Sequence, residues 1–245
     1  MVLEHTLRIT KTSGLHYSSK RVNPRFFVII EVEVNQMTLN IEWLGHSSFK
    51  LIYNDYQIVI DPFADNIIPG LKGVKEEAHL ILCSHEHRDH NARECVMLLP
   101  QTTNPFNLIE IESYHDNNHG HDRGRNKIVV LQDSSIKLIH LGDIGCIPEI
   151  DMLEKMQKPD VLFVPIGGHY TLNREDIVRL IHMVQPKVIV PMHYKSNGFG
   201  PNVIGTLDEF TSLMDLPMIN YDSTNFNYSS DMSNHFAVLN PKNKR

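Results

Sequence analysis

Within six residues, directly after a short apolar strand, the chain places His85, His87, Asp89 and His90. No other stretch restricts the fold as strongly. His79-Leu80-Ile81-Leu82-Cys83 reads as a strand, and it runs straight into Ser84-His85-Glu86-His87-Arg88-Asp89-His90. Alternate residues at a strand end share a side, so His85 and His87 are aimed one way. Asp89 and His90 then turn toward a neighbouring point. Four ligand-type side chains at that spacing can serve two metal ions. Two ions need more donors, and the chain offers them at further strand ends. His115 follows the strand-like Asn107 to Glu112, Asp143 follows Ile136 to Leu141, and His193 follows Lys187 to Val190. Functional loops of layered α/β proteins are anchored at such ends.

Composition supports a folded, metal-rich reading. Histidine is the anomaly, with 15 residues in 245. Apolar residues make up 41% and charged residues 21%, which excludes bulk disorder. The net charge of −6 argues against a broad nucleic-acid-binding surface. Three scattered cysteines, Cys83, Cys95 and Cys146, do not make a disulfide framework, so a cytoplasmic protein is expected. No apolar run reaches membrane-span length, and no signal-peptide pattern is read at the start.

Strand and helix patterns alternate along the chain. Thr38 to Trp43, Ser48 to Tyr53 and Tyr56 to Ile60 read as strands, with Asn54-Asp55 turning between the last two. Ala92 to Leu99 reads as a short helix, followed by the strand-like Lys127 to Leu131. Glu149 to Gln157 is helical, and Val161 to Val164 is a buried-type strand. Ile177, Leu180, Ile181 and Val184 put one continuous apolar face on a helix over Asn173 to Val184, which Asn173 can cap. Thr206-Leu207-Asp208-Glu209 is a capping box opening a later helix. Alternation of this kind predicts an α/β layered fold, and the early hairpins exclude an all-parallel sheet.

These motifs resemble the metallo-β-lactamase superfamily. More narrowly, they resemble its metal-dependent hydrolase branch, which includes L-ascorbate-6-phosphate lactonase and N-acyl-phosphatidylethanolamine phospholipase D. The resemblance runs from about Met37 to the C-terminus. It is carried by Trp43 to Phe49, Ile60-Asp61-Pro62-Phe63, Ser84 to His90, His140 to Asp143, Pro165 to Thr171 and Ile189 to Tyr194. It implies a four-layer αββα sandwich of two mixed β-sheets flanked by helices, with the metals at one edge. It implies two divalent ions, Zn²⁺ first, then Mn²⁺ or Fe²⁺. His85, His87 and His115 would hold the first ion, and Asp89, His90 and His193 the second. Asp143 would bridge them, and a metal-bridging hydroxide would be the nucleophile. A flavo-diiron redox role is not expected, because His87 stands where those proteins carry glutamate. Residues 37–245 are then the hydrolase domain. Residues 1–36 are an N-terminal extension, either non-native or an added strand, and Met37 is a candidate native start.

Around the ligands, Asp61 and His46 read as supporting groups. His169, after Gly167-Gly168, reads as a general acid or substrate contact, and Asp89 as a further catalytic candidate. Arg123, Arg125, His119 and Tyr194 are candidate substrate contacts, the arginines for an anion. His121 lies in the same loop, and His79, His140 and His182 read as packing residues. The expected activity is a dinuclear metal-dependent hydrolase acting on a small anionic ester, lactone or phosphodiester; the resemblance leaves open whether the protein is a monomer or a homo-oligomer. The alternatives are a nucleic-acid phosphodiesterase, for which the chain shows no basic tract, and a noncatalytic metal-binding or ligand-sensing protein.

Overall fold

The computed structural model describes residues 15–22, 25–32 and 38–245. It separates into two units, one up to Thr38 and one from Leu39 onward. In the first, β1 (Leu15–Val22) pairs antiparallel with β2 (Arg25–Val32), Leu15 opposite Val32 and Val22 opposite Arg25. The candidate start at Met37 lies outside the described residues.

In the second unit, Leu39, Ile41 and Trp43 are buried and alternate with Asn40 and Glu42, which makes β3 (Leu39–Gly45) a strand with one face inward. A tight turn returns it as β4 (Ser48–Tyr53), and Asn54-Asp55 returns that as β5 (Tyr56–Ile60). Both turn residues have positive φ, 46° and 71°, the backbone that two-residue hairpins require and that Asn and Asp tolerate. β6 (Glu76–Ala78) stands aside, while β7 (Leu80–Leu82) joins β5 in parallel.

The expected helix at Ala92 to Leu99 does not form. A single 3₁₀ turn, Arg93–Cys95, leads instead into β8 (Val96–Leu98), which pairs in parallel with β6. The amides explain the change: Ala92 N donates to Pro62 O and Leu99 N to Ala78 O, so the segment's donors are spent on neighbouring chain rather than on a helix.

A second sheet begins with β9 (Asn107–Tyr114), β10 (Arg125–Gln132) and β11 (Lys137–His140). It continues through α1 (Ile150–Met156), β12 (Val161–Pro165), α2 (Arg174–Val184) and β13 (Val188–Met192). Every residue of β12 and β13 is buried, as expected of parallel strands covered on both faces. The Asn173 side chain caps α2 by accepting from Asp176 N at 2.8 Å. α3 (Leu207–Thr211) carries the expected capping box of Thr206 and Glu209. β14 (Met218–Asn220), β15 (Asn225–Tyr228) and β16 (His235–Val238) complete the set.

The strands form a seven-stranded sheet, β14-β16-β13-β12-β11-β10-β9, and a five-stranded sheet, β15-β3-β4-β5-β7. Both mix parallel and antiparallel pairs. They pack face to face, with Phe49 of β4 against Phe163 of β12 at 4.5 Å between ring centroids. The fold is thus an α/β sandwich of two mixed sheets, with α1, α2 and α3 in connections of the larger one. Among the described residues no helix is long and apolar enough to cross a membrane.

Candidate metal centre

Five strand ends and one hairpin turn meet at one edge of the sandwich. His85, His87, Asp89 and His90 follow β7, and His115 follows β9. Asp143 follows β11, and His193 follows β13. Asp61 follows β5, and His46 lies in the turn between β3 and β4. Three of these, His46, Asp61 and His193, hold φ near +50°, strained for side chains with a Cβ. Strain of that kind persists where surrounding contacts over-determine the backbone.

The Asp143 carboxylate is the hub. Its Oδ2 lies 3.2 Å from His90 Nε2, 3.3 Å from His115 Nε2 and 3.1 Å from His193 Nε2. His85 closes on the same point, its ring 4.1 Å from that of His90 and 4.8 Å from that of His115. His87, exposed, lies 4.9 Å from His115. Three donor groups result, each with its ligand atoms within 4.8 Å of one another. They are His85, His87 and His115; His85, His90 and Asp143; and His46, Asp89, His90 and His193.

Hydrogen bonds hold the imidazoles in place. Asp61 is fully buried and accepts from Ser84 N at 2.6 Å and from Ser84 Oγ at 2.7 Å. It also lies 2.8 Å from His90 Nδ1, which leaves His90 Nε2 for the cluster. Ser84 Oγ lies 2.9 Å from His85 Nδ1, and His85 Nε2 is buried with no hydrogen-bond partner among the described residues. An imidazole fixed through one nitrogen and bare at the other is how metal-binding histidines are oriented. Asn126, also fully buried, sets Asp143: its Oδ1 accepts from Asp143 N at 3.0 Å while its amide donates to Leu141 O and Ser113 Oγ. Gly142, at φ +57°, has no room for a side chain, since a Cβ would lie 2.3 Å from Asn126 Oδ1.

Electrostatics follow from burial and crowding. Burial pushes the Asp143 carboxyl up, but His193, His90 and His115 outweigh it and hold it well below the carboxylate range. Burial also opposes charge on His90, yet Asp143 and Asp61 raise it well above the usual imidazole value. Burial, with His90 close by, lowers His85 to about 3, and burial beside His193 lowers His46 to about 4. Imidazoles gathered around carboxylates, with His85 and His46 held neutral, form the donor set that divalent Zn²⁺, Mn²⁺ or Fe²⁺ takes. The residues present therefore fit such ions.

The expected surroundings divide. Asp116, not among the expected site residues, builds the loop after His115 by accepting four backbone amides, from Asn118, Gly120, Asp122 and Arg123. The polar stretch between His115 and Gly124 carried that signal, since Asp side chains commonly organise such turns. In this loop His119 and His121 are exposed, and His121 pairs with Asp122. Arg125 faces Glu112, Lys127 binds Glu110 and Arg93 binds Glu86. Arg123 has no carboxylate partner among the described residues; its guanidinium lies 5.5 Å from the Tyr170 ring centre. It lines both a cleft of about 460 Å³ beside His85 and His87 and one of about 610 Å³ beside His115 and Tyr170. His169 is exposed on the loop after Gly167, which abuts the backbone of His193 so closely that a Cβ would meet its carbonyl at 2.2 Å. Tyr194 corrects an expectation. It is 4% exposed and stacks on Trp43 at 5.3 Å, so its ring is a packing element rather than a substrate contact.

Comparison with known proteins places this architecture. Residues 40–193 match the model of the β-lactamase superfamily domain. The metal-dependent hydrolase of Caldivirga maquilingensis is 28% identical over 207 residues, covering 71% of this chain and 88% of that protein. The metal-dependent hydrolase of Hyperthermus butylicus is 25% identical, covering 64% and 83%. A solved metallo-β-lactamase superfamily structure from Thermotoga maritima superposes with a TM-score of 0.64 at 25% identity, covering 82% of this chain and 98% of that one. The metallo hydrolase Igni18 of Ignicoccus hospitalis shares the fold, with a TM-score of 0.53 at 19% identity, covering 72% and 90%. With the family model spanning more than half the chain and the fold superposing on a solved member, the chain belongs to the metallo-β-lactamase superfamily.

Proposed function

We propose that this protein is a dinuclear metal-dependent hydrolase of a small anionic ester, lactone or phosphodiester. The observation that carries the reading is the convergence of three histidine nitrogens within 3.3 Å of one oxygen of Asp143, with further donors on either side. His85, His87 and His115 would hold one ion, Asp89, His90 and His193 the other, and Asp143 would stand between them. Bound there, two divalent ions supply Lewis acidity and a water acidic enough to ionise near neutral pH. The relatives named metal-dependent hydrolases support the same class.

The chain's own residues supply position and charge. Asp61 and Ser84 orient His90 and His85, and Asn126 sets Asp143. Arg123, with no carboxylate committed to it, supports an anionic substrate, because a guanidinium offers paired donors to phosphate or carboxylate. The pairing of Arg93, Arg125 and Lys127 with glutamates leaves that cleft nearly self-neutralised. This favours a small anion over a polyanion. His169 is assigned proton delivery to the leaving group, from an exposed loop that Gly167 ties to His193.

The test is hydrolysis of p-nitrophenyl phosphodiesters, lactones and single-stranded RNA before and after chelation. Activity on one of the small substrates should vanish with EDTA and return with Zn²⁺ or Mn²⁺. Asp143→Ala should abolish it, and His169→Ala should keep both ions while kcat/KM falls about 10²–10⁴-fold. EDTA-resistant turnover, or turnover of RNA alone, refutes the proposal.

A further inference from the structure

The buried histidines among the described residues separate into two kinds. Those that pack are satisfied: His140 Nε2 lies 2.9 Å from Ser47 O while its Nδ1 accepts from Gly142 N. His235 is held by Ser233 O and Tyr221 Oη. His46 is different. It is 2% exposed, and neither ring nitrogen has a hydrogen-bond partner among the described residues. Buried polar atoms are ordinarily paired, and two left unpaired on one ring are not accounted for by a packing role.

The turn that carries His46 is also built against the usual rules. A tight hairpin tip ordinarily lies in solvent and takes Asn or Gly where φ is positive. Here an imidazole occupies a position at φ +53° and points inward. The turn is fastened where it is: His46 O accepts from Trp43 Nε1 at 3.0 Å and from His193 N at 3.2 Å. The second contact ties the backbone of His46 directly to that of His193.

We propose that His46 is a metal ligand, through Nε2, of the site formed by Asp89, His90 and His193. The inference rests on the metal-centre reading above and adds a donor to it. His46 Nε2 lies 3.4 Å from Asp89 Oδ2, without the alignment of a hydrogen bond. Donors at about 2.05–2.2 Å from a common ion stand roughly 2.9 Å apart at octahedral angles and up to roughly 3.6 Å apart at tetrahedral ones. The spacing seen here lies in that range, and so do the nitrogens around Asp143, at 3.1 to 3.3 Å. With His46 included, this site has five protein donors, counting Asp143, against four at the site of His85, His87 and His115. The richer set suits a six-coordinate ion such as Mn²⁺ or Fe²⁺ better than tetrahedral Zn²⁺. The poorer set is then the one with room for substrate.

The experiment is a Co²⁺ titration of the full chain, read by binding stoichiometry, affinity and visible d–d absorption, in wild type, His46→Ala and His46→Asn. Asparagine suits the left-handed backbone at this turn, so His46→Asn guards against a folding defect. One of the two Co²⁺ equivalents should weaken by more than about 100-fold in both variants, beyond the usual effect of a supporting residue. The absorption of that equivalent should intensify as its coordination number falls, with the other equivalent unchanged. Unaltered affinity and spectra in folded variants overturn the inference and leave the metal-centre reading standing. A wild-type protein that takes up no Co²⁺ overturns both. A crystal structure of the Co²⁺-loaded wild type decides the point without a variant. Nε2 within about 2.2 Å of the ion supports the assignment, and a separation beyond about 3 Å refutes it.

Discussion

Asp61→Asn changes one atom of the carboxylate that holds the site and should cost the protein one metal ion while leaving its fold. Oδ1 accepts from the Ser84 amide at 2.6 Å, and Oδ2 meets Ser84 Oγ at 2.7 Å and His90 Nδ1 at 2.8 Å. A backbone N–H cannot become an acceptor, so the asparagine carbonyl must stay on the Ser84 amide. The new NH₂ then faces His90 Nδ1, which can tolerate it only by giving up its proton. The neutral ring moves that proton to Nε2, the nitrogen that lies 3.2 Å from Asp143 and belongs to two of the donor groups. A protonated Nε2 has no lone pair for a cation. Asn also accepts φ +49° readily, so the backbone is not the cause of the loss. Losing an orienting partner of this kind lowers metal affinity by about 10–100-fold, or about 1.4–2.7 kcal/mol. Weakening two hydrogen bonds to a charged acceptor should also cost the metal-free protein about 2–4 kcal/mol. Calorimetric titration with Zn²⁺ or Mn²⁺ reads the first quantity, and urea unfolding of the chelated protein reads the second. Wild-type affinity at both sites in Asp61→Asn would refute the argument that this carboxylate selects the His90 tautomer.

Three further outcomes are expected. Gly142→Ala should unfold at lower temperature and bind metal weakly, because the new methyl would lie 2.3 Å from Asn126 Oδ1 and 2.6 Å from Ser84 Cβ. A thermal melt and a metal assay check both. Metal-free protein should lose stability as pH falls from 6.5 to about 4, because the neutral His46 and His85 rings stay unprotonated in the fold while the unfolded chain takes up protons. The slope is about 1.4 kcal/mol per pH unit for each ring, read by urea unfolding across that range; a flat profile refutes it. A chain beginning at Met37 should fold, bind two ions and hydrolyse substrate as the full chain does, because the unit from Leu39 onward has its own core and sheets. Insolubility or lost activity would make the first 36 residues part of the working fold.

Much of the fold is local chemistry and could be read along the chain. The apolar runs of β12 and β13, the Asn173 cap, the capping box at Thr206 and the Asn54-Asp55 turn each depend on a few adjacent residues. The spacing of His85, His87, Asp89 and His90 is local in the same way, and it drew attention to His115, Asp143 and His193 as strand-end donors. What distant segments present to one another was not legible. Val96 to Leu98 pairs with β6 instead of coiling because β6 offers it free backbone groups from 20 residues away. Tyr194 packs on Trp43, and nothing in its neighbours along the chain announces that partner. Asn126 and Asp116 look like ordinary strand and loop polar residues until burial aims them at Asp143 N and at four amides of one loop. His46 sits in a hairpin turn, a place where a histidine is usually solvated. Whether a polar side chain is a surface group, a brace or a ligand depends on which atoms lie across from it once water is excluded. Here those atoms come from both sheets and from six separate chain segments, so only their packing could assign the role.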